Sequence, residues 1–142
     1  MATEKKKQSD AYAARKLFLK KLDELKIHYV LEEERPVVRI HYNGTYFRDV
    51  AFAFVFDEDG LSIGLRVFSI ARFKKPELAD AYEFCNRINS EYRWVRFYID
   101  GDRELTASLD AIISPETTAA VCHQLLARAV NLVDSVCKEL NK

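Results

Sequence analysis

Asn86-Arg87-Ile88-Asn89-Ser90-Glu91-Tyr92-Arg93-Trp94-Val95-Arg96-Phe97-Tyr98-Ile99-Asp100-Gly101-Asp102 is the stretch whose reading decides the fold. A helix ends on asparagine and serine and runs directly into a strand that is aromatic on both faces. Strand side chains alternate, so Val95, Phe97 and Ile99 point one way and Trp94, Arg96 and Tyr98 the other. The first set belongs to a core. The second joins two aromatic rings to a guanidinium, and Trp and Arg are enriched where proteins meet. Trp94, Arg96 and Tyr98 are therefore the candidate partner-binding residues.

Working back from this stretch, Pro76 opens the helix, because its fixed φ suits a first helical position. Leu78, Ala81, Tyr82, Cys85 and Ile88 form its apolar stripe, and Asn89-Ser90 end it. Working forward, strands are expected over Arg93–Asp100 and Glu104–Ile112. If Ile99 and Leu105 share a face, the connection between the strands must be odd in length, as Asp100-Gly101-Asp102 would be. Ser114 and Pro115 then start a last helix that runs to about Leu140. Its apolar positions, from Val121 through Leu125, Leu126, Val130, Leu132, Val133, Val136 and Cys137 to Leu140, cover nearly half of its circumference. That is wider than the ~100° of a helix buried on one side only. A second contact is implied, most simply a homodimer.

The N-terminal half supplies the rest of a sheet. Ala14, Leu17, Phe18, Leu22 and Leu25 recur at helical spacing between Asp10 and Lys26, with Asp10 as the expected cap. The period then becomes two. Ile27–Glu33 is a short candidate strand, Val37–Tyr42 a second, and Asn43-Gly44 a turn signal. Val50, Phe52, Phe54 and Phe56 alternate with Ala51, Ala53 and Val55, so this strand is apolar on both faces and central. After Asp57-Glu58-Asp59-Gly60 come Leu61, Ile63, Leu65 and Val67; the phase then slips to Phe68 and Ile70, which predicts a bulge or a sheet edge. The fold class is α+β, an antiparallel sheet flanked by helices in the order α-β-β-β-β-α-β-β-α.

Composition narrows the function. The 142 residues suit a single domain over 10–142 behind a flexible tail over 1–9. Lys plus Arg and Asp plus Glu number 22 each, so the formal charge is zero and the cationic excess of a general nucleic-acid binder is absent. No apolar run approaches the roughly 20 residues needed to span a bilayer, and Met1–Asp10 is polar, so neither a membrane nor a secretory signal is indicated. A cytoplasmic protein is expected. Cys85, Cys122 and Cys137 are odd in number and widely spaced, as buried reduced thiols would be.

No motif carries catalysis. His28, His41 and His123 are scattered. An EF-hand loop around Asp57-Glu58-Asp59-Gly60 would need an acid at position 55 and Glu at 66, where Val55 and Arg66 stand. The four glycines are isolated, so no phosphate-cradling loop is present. Cys122 and His123 are adjacent on a helix and point about 100° apart, a poor dyad. No catalytic, cofactor-binding or metal-binding residues are assigned.

Tyr42-Asn43-Gly44, Phe56-Asp57-Glu58-Asp59-Gly60, Cys85-Asn86-Arg87-Ile88-Asn89, Tyr92–Tyr98 and Asn131-Leu132-Val133-Asp134 together resemble the YbjN-domain family over residues from about 10 to 140. The chain departs from the family's usual Tyr-Pro pair at Val136-Cys137-Lys138. The resemblance implies a fold similar to type III secretion chaperones, typically dimeric, and a role among bacterial sensory-transduction regulators. It brings no catalytic residues. The resulting expectation is a non-enzymatic protein-interaction module, chaperone-like or regulatory, acting as a homodimer on an unidentified protein partner. The alternative is a small-ligand sensor with its pocket between the sheet and the last helix.

Overall fold

Phe52, Phe54 and Phe56 alternate on one strand and are each at most 2% exposed, and the rest of the molecule is arranged around them. The computed structural model describes residues 2–141, with side chains from residue 10 onward. In chain order the elements are α1 (Ala2–Glu24), β1 (Val30–Leu31), β2 (Val37–Tyr42), β3 (Val50–Phe56), β4 (Ser62–Arg72), α2 (Leu78–Glu91), β5 (Arg96–Ile99), β6 (Glu104–Ile112) and α3 (Thr118–Leu140). A 3-10 turn over Lys75–Glu77 leads into α2. The class is α+β, in the order read from the sequence.

All strand pairings are antiparallel, in the order β1-β2-β3-β4-β6-β5. The phenylalanine face of β3 continues through Val38 and Ile40, Ile63, Leu65 and Val67, Leu105, Ala107 and Leu109, and Phe97. Against it pack Phe18 and Leu22 of α1, Cys85 and Ile88 of α2, and Cys122, Leu126, Ala129 and Val133 of α3. The Phe18 and Phe54 rings lie 4.7 Å apart between centroids. Helical period on one side and strand period on the other thus meet in one core.

Several local expectations shift. The expected tail, residues 1–9, lies outside the described side chains, and Asp10 sits within α1 instead of capping it. Only Val30–Leu31 of the Ile27–Glu33 segment pairs as a strand. The slip at Phe68 is a bulge: the β4–β6 register breaks between Val67 and Ala71, with Ser69 at φ 58°. Ile99 pairs with Leu105, as parity required, and Asp100 N–H donates to the Glu104 carbonyl. The odd loop is therefore residues 101–103, with positive φ at Arg103.

Helix α3 begins three residues later than Pro115, because residues 115–117 form turns in which Ser114 N–H donates to Thr117 Oγ1. Its wide apolar surface is taken up within the chain. Val121, Leu125, Val130, Leu132 and Leu140 pack at the margins of the core. The width thus reflects α3 lying against both the sheet and α1.

Candidate functional site

Because the helices share one side, the other side of the sheet has no helix over it among the described residues. Val37 and Ala53 are buried yet stand apart from the main core, since alternation turns them to this second face. The pairing register builds a single row across the whole sheet: Val30, Arg39, Ala53, Arg66, Ser108, Arg96. Arginines on every second strand alternate with small residues, so each guanidinium stem has room to lie flat. Arg66 donates to the Leu65 and Leu109 carbonyls and pairs with Asp110 at 2.9 Å. Arg96 stands 3.7 Å from the same Asp110, and Arg39 lies 2.9 Å from Glu32, which also holds Arg35. Three arginines of the row thus share two carboxylates.

Apolar groups flank the row. Tyr98 is 42% exposed and Ile112 88%, both on this face by alternation. Thr106 and Ser108 form a buried floor. Arg39, Arg66 and Ile112 escaped the sequence reading. The signal was present, since each occupies an off-core phase of its strand, but only the register aligns the arginines.

The three sequence candidates do not stay together. Arg96 and Tyr98 lie in β5 and face the open side. Trp94 precedes the strand at φ 77°, a left-handed conformation that is an outlier for a bulky residue and costs on the order of 1–3 kcal/mol. That twist removes it from the row. Its ring instead lies under two guanidiniums, Arg93 at 4.8 Å and Arg128 of α3 at 4.7 Å. Val95 and Phe97 enter the core, at 5% and 1% exposure, and Ile99 packs at its margin.

Asn89 explains why the free edge at β5 is quiet. Its Nδ2 donates to the Phe97 carbonyl and its Oδ1 accepts from Phe97 N–H, both at 2.9 Å. One side-chain amide thus mimics a neighbouring strand and occupies the edge. The Tyr42-Asn43-Gly44 and Asn131–Asp134 motifs also meet: Asp134 accepts from Tyr46 N–H at 2.7 Å, and a Cβ on Gly44 would overlap both Asp134 and the Phe47 ring. His41 lies 2.9 Å from Asp49 on the same loop.

A groove of about 830 Å³ runs along α1, walled by Ala13, Leu17, Leu61 and Pro115, with Asp10, Lys16, Lys20, Asp23 and Asp59 as charged lining and Tyr29 beside them. Tyr29 donates to Asp23 at 2.9 Å, and that bond is the main cause of its raised pKa. Elsewhere, burial pushes the Cys122 thiol up to about 12 and Cys137 to about 11, the latter helped by Asp134. Among the described residues, no three His, Cys, Asp or Glu side chains gather to hold a metal, and no helix is long and apolar enough to cross a membrane.

Comparison with known proteins gives two findings. The model of the YbjN family, described as "Putative bacterial sensory transduction regulator", matches residues 19–142. The fold is similar to the crystal structure of YbjN from E. coli, "a putative transcription regulator", with TM-score 0.60 over 87% of each chain at 12% identity. At that identity the likeness concerns the fold. No curated protein matches the sequence.

Proposed function

The chain belongs to the YbjN family, and from that premise we propose a non-enzymatic protein-interaction module that works as a homodimer in a regulatory role. The observation that carries this reading is the helix-free face of the sheet, where Tyr98 and Ile112 flank the Arg39–Arg66–Arg96 row. Apolar groups standing exposed among arginines are the composition of a contact surface. Scale supports it too. Six strands at about 4.8 Å spacing span roughly 24 Å, so a standard interface of about 800 Å² per partner would cover nearly all of the face. Arg96 and Tyr98 are the partner-binding residues on this face.

Size-exclusion chromatography with light scattering at about 50 µM, well above the dissociation constant of a micromolar dimer, tests the proposal. The expected result is a dimer that Tyr98→Glu combined with Ile112→Glu converts to a folded monomer. A monomeric parent protein would sink the dimer. A double variant that stays dimeric would move the interface elsewhere.

The groove along α1 favours a second reading, a small-ligand sensor. Its volume falls within the ~300–1,000 Å³ typical of ligand sites, and its walls are mostly apolar. A metabolite that raises the melting temperature of the parent but not of Leu17→Trp, which would fill the groove, would favour that reading.

A further inference from the structure

We propose that Trp94, Arg93 and Arg128 form a docking point for an acidic segment of a partner protein, one that alternates carboxylates with apolar side chains. This surface is separate from the open sheet face, so either proposal can fail without the other.

Three observations converge on it. Trp94 is 51% exposed, although a tryptophan offers one of the largest apolar surfaces that folding can bury. Its backbone is held at φ 77°, a cost the fold bears while leaving the ring in solvent. Two guanidiniums lie on that one ring, that of the neighbouring Arg93 at 4.8 Å and that of Arg128 in α3 at 4.7 Å.

The charges decide the ligand. Arg35, Arg39, Arg66, Arg87 and Arg96 each have a carboxylate partner. Among the described residues, Arg93 and Arg128 have none, as is true also of Arg15, Arg48, Arg72 and Arg103, but Arg93 and Arg128 lie on one and the same ring. Carboxylates close by in sequence or on α3 are engaged elsewhere: Glu91 pairs with Arg87, and Glu139 with Arg87 and Tyr92. Two like charges around one ring repel each other, and an anion entering between them relieves that repulsion. A guanidinium stacked on an aromatic face keeps its N–H fork directed outward, the geometry that takes a carboxylate in bidentate fashion. The indole supplies apolar area beside it.

A nucleic acid would need a longer track of phosphate contacts than two arginines provide, and the chain carries no net charge to extend one. An acidic peptide segment fits the pair of cations and the ring together.

The chain holds one tryptophan, so its emission reports this site alone. The experiment titrates the 142-residue chain at low ionic strength with a synthetic peptide of alternating Glu and Leu. The matching Lys-Leu peptide and inorganic phosphate are the controls. The expected result is a saturable change in Trp94 emission with the acidic peptide, none with the basic one, and affinity weakened about tenfold by Arg128→Glu, since reversing one of a close charge pair removes attraction and adds repulsion. Arg128→Gln, which keeps a polar chain of similar length at this exposed helix position, should weaken binding less than Arg128→Glu.

The proposal is overturned if the acidic peptide gives no saturable change, or if both Arg128 variants bind it as the parent does. Phosphate saturating as tightly as the peptide would also overturn it, in favour of a small-anion site. So would an emission change on dilution of the protein alone, in favour of a second copy as the occupant.

Discussion

A single asparagine shows how a residue read as a helix terminator can serve the sheet. Asn89 lies in the last turn of α2, yet both ends of its amide bond the backbone of Phe97 in β5. Phe97 is 1% exposed, so its N–H and C=O have little water to turn to if the amide is lost. Asn89→Ala should therefore lower stability by about 1–3 kcal/mol, the desolvation cost of groups left without partners. The measurement is denaturant unfolding, with the midpoint falling and the slope unchanged. An unchanged midpoint would show that water replaces the amide freely. Trp94 teaches the opposite lesson at the same scale. Alternation assigned it to a face with Arg96 and Tyr98, and a positive φ took it off that face.

The β5–β6 hairpin is the element with its own titratable lock. The Asp100 carboxylate accepts from the Glu104 N–H at 3.1 Å, the Thr106 hydroxyl at 2.9 Å and the Asp102 N–H at 2.9 Å. These bonds, the Glu104 N–H foremost, hold its pKa below the ordinary 3.8. A folded-state value below the unfolded one means the stabilisation is fully present above pH 3.8 and is lost as pH falls through the folded value. Between neutral pH and that region the parent should keep an advantage over Asp100→Asn, and the gap should close in stronger acid. Melting temperatures of both proteins across an acid series check this; a gap that stays constant with pH would refute it. The same hairpin also shows what parity can do. An odd loop was legible from Ile99 and Leu105 sharing a face, but the residue at positive φ was not, because Arg103 takes that conformation only where the returning strand demands it.

At the scale of the whole molecule, one core shelters all three thiols. Cys85, Cys122 and Cys137 are buried and unpaired, and burial raises the pKa of each. A raised pKa keeps the thiol protonated at neutral pH, and the thiolate is the reactive form. The folded protein should resist a thiol-specific reagent that labels all three cysteines after denaturation. A fast-reacting thiol in the native state would point to local opening of α2 or α3. The sidedness of the fold also emerges only at this scale. The two-faced apolar pattern of β3 announced a central strand, and β3 does lie inside the sheet. Its second face is nonetheless floored by small residues under arginine side chains, with no second layer of helices among the described residues. The wide apolar surface of α3, read as a sign of a second chain, is satisfied by α1 and the core margin.

The element order, the phenylalanine core, the β4 bulge and the hairpin parity were all determined by the sequence alone. Each follows from periods of two or 3.6 residues that the backbone imposes on neighbouring side chains. The arginine row, the amide seal at β5, the displacement of Trp94 and the groove along α1 were decided by tertiary structure. Each depends on register or contact between residues distant in the chain, and no local period encodes which strand lies beside which or which helix a side chain meets.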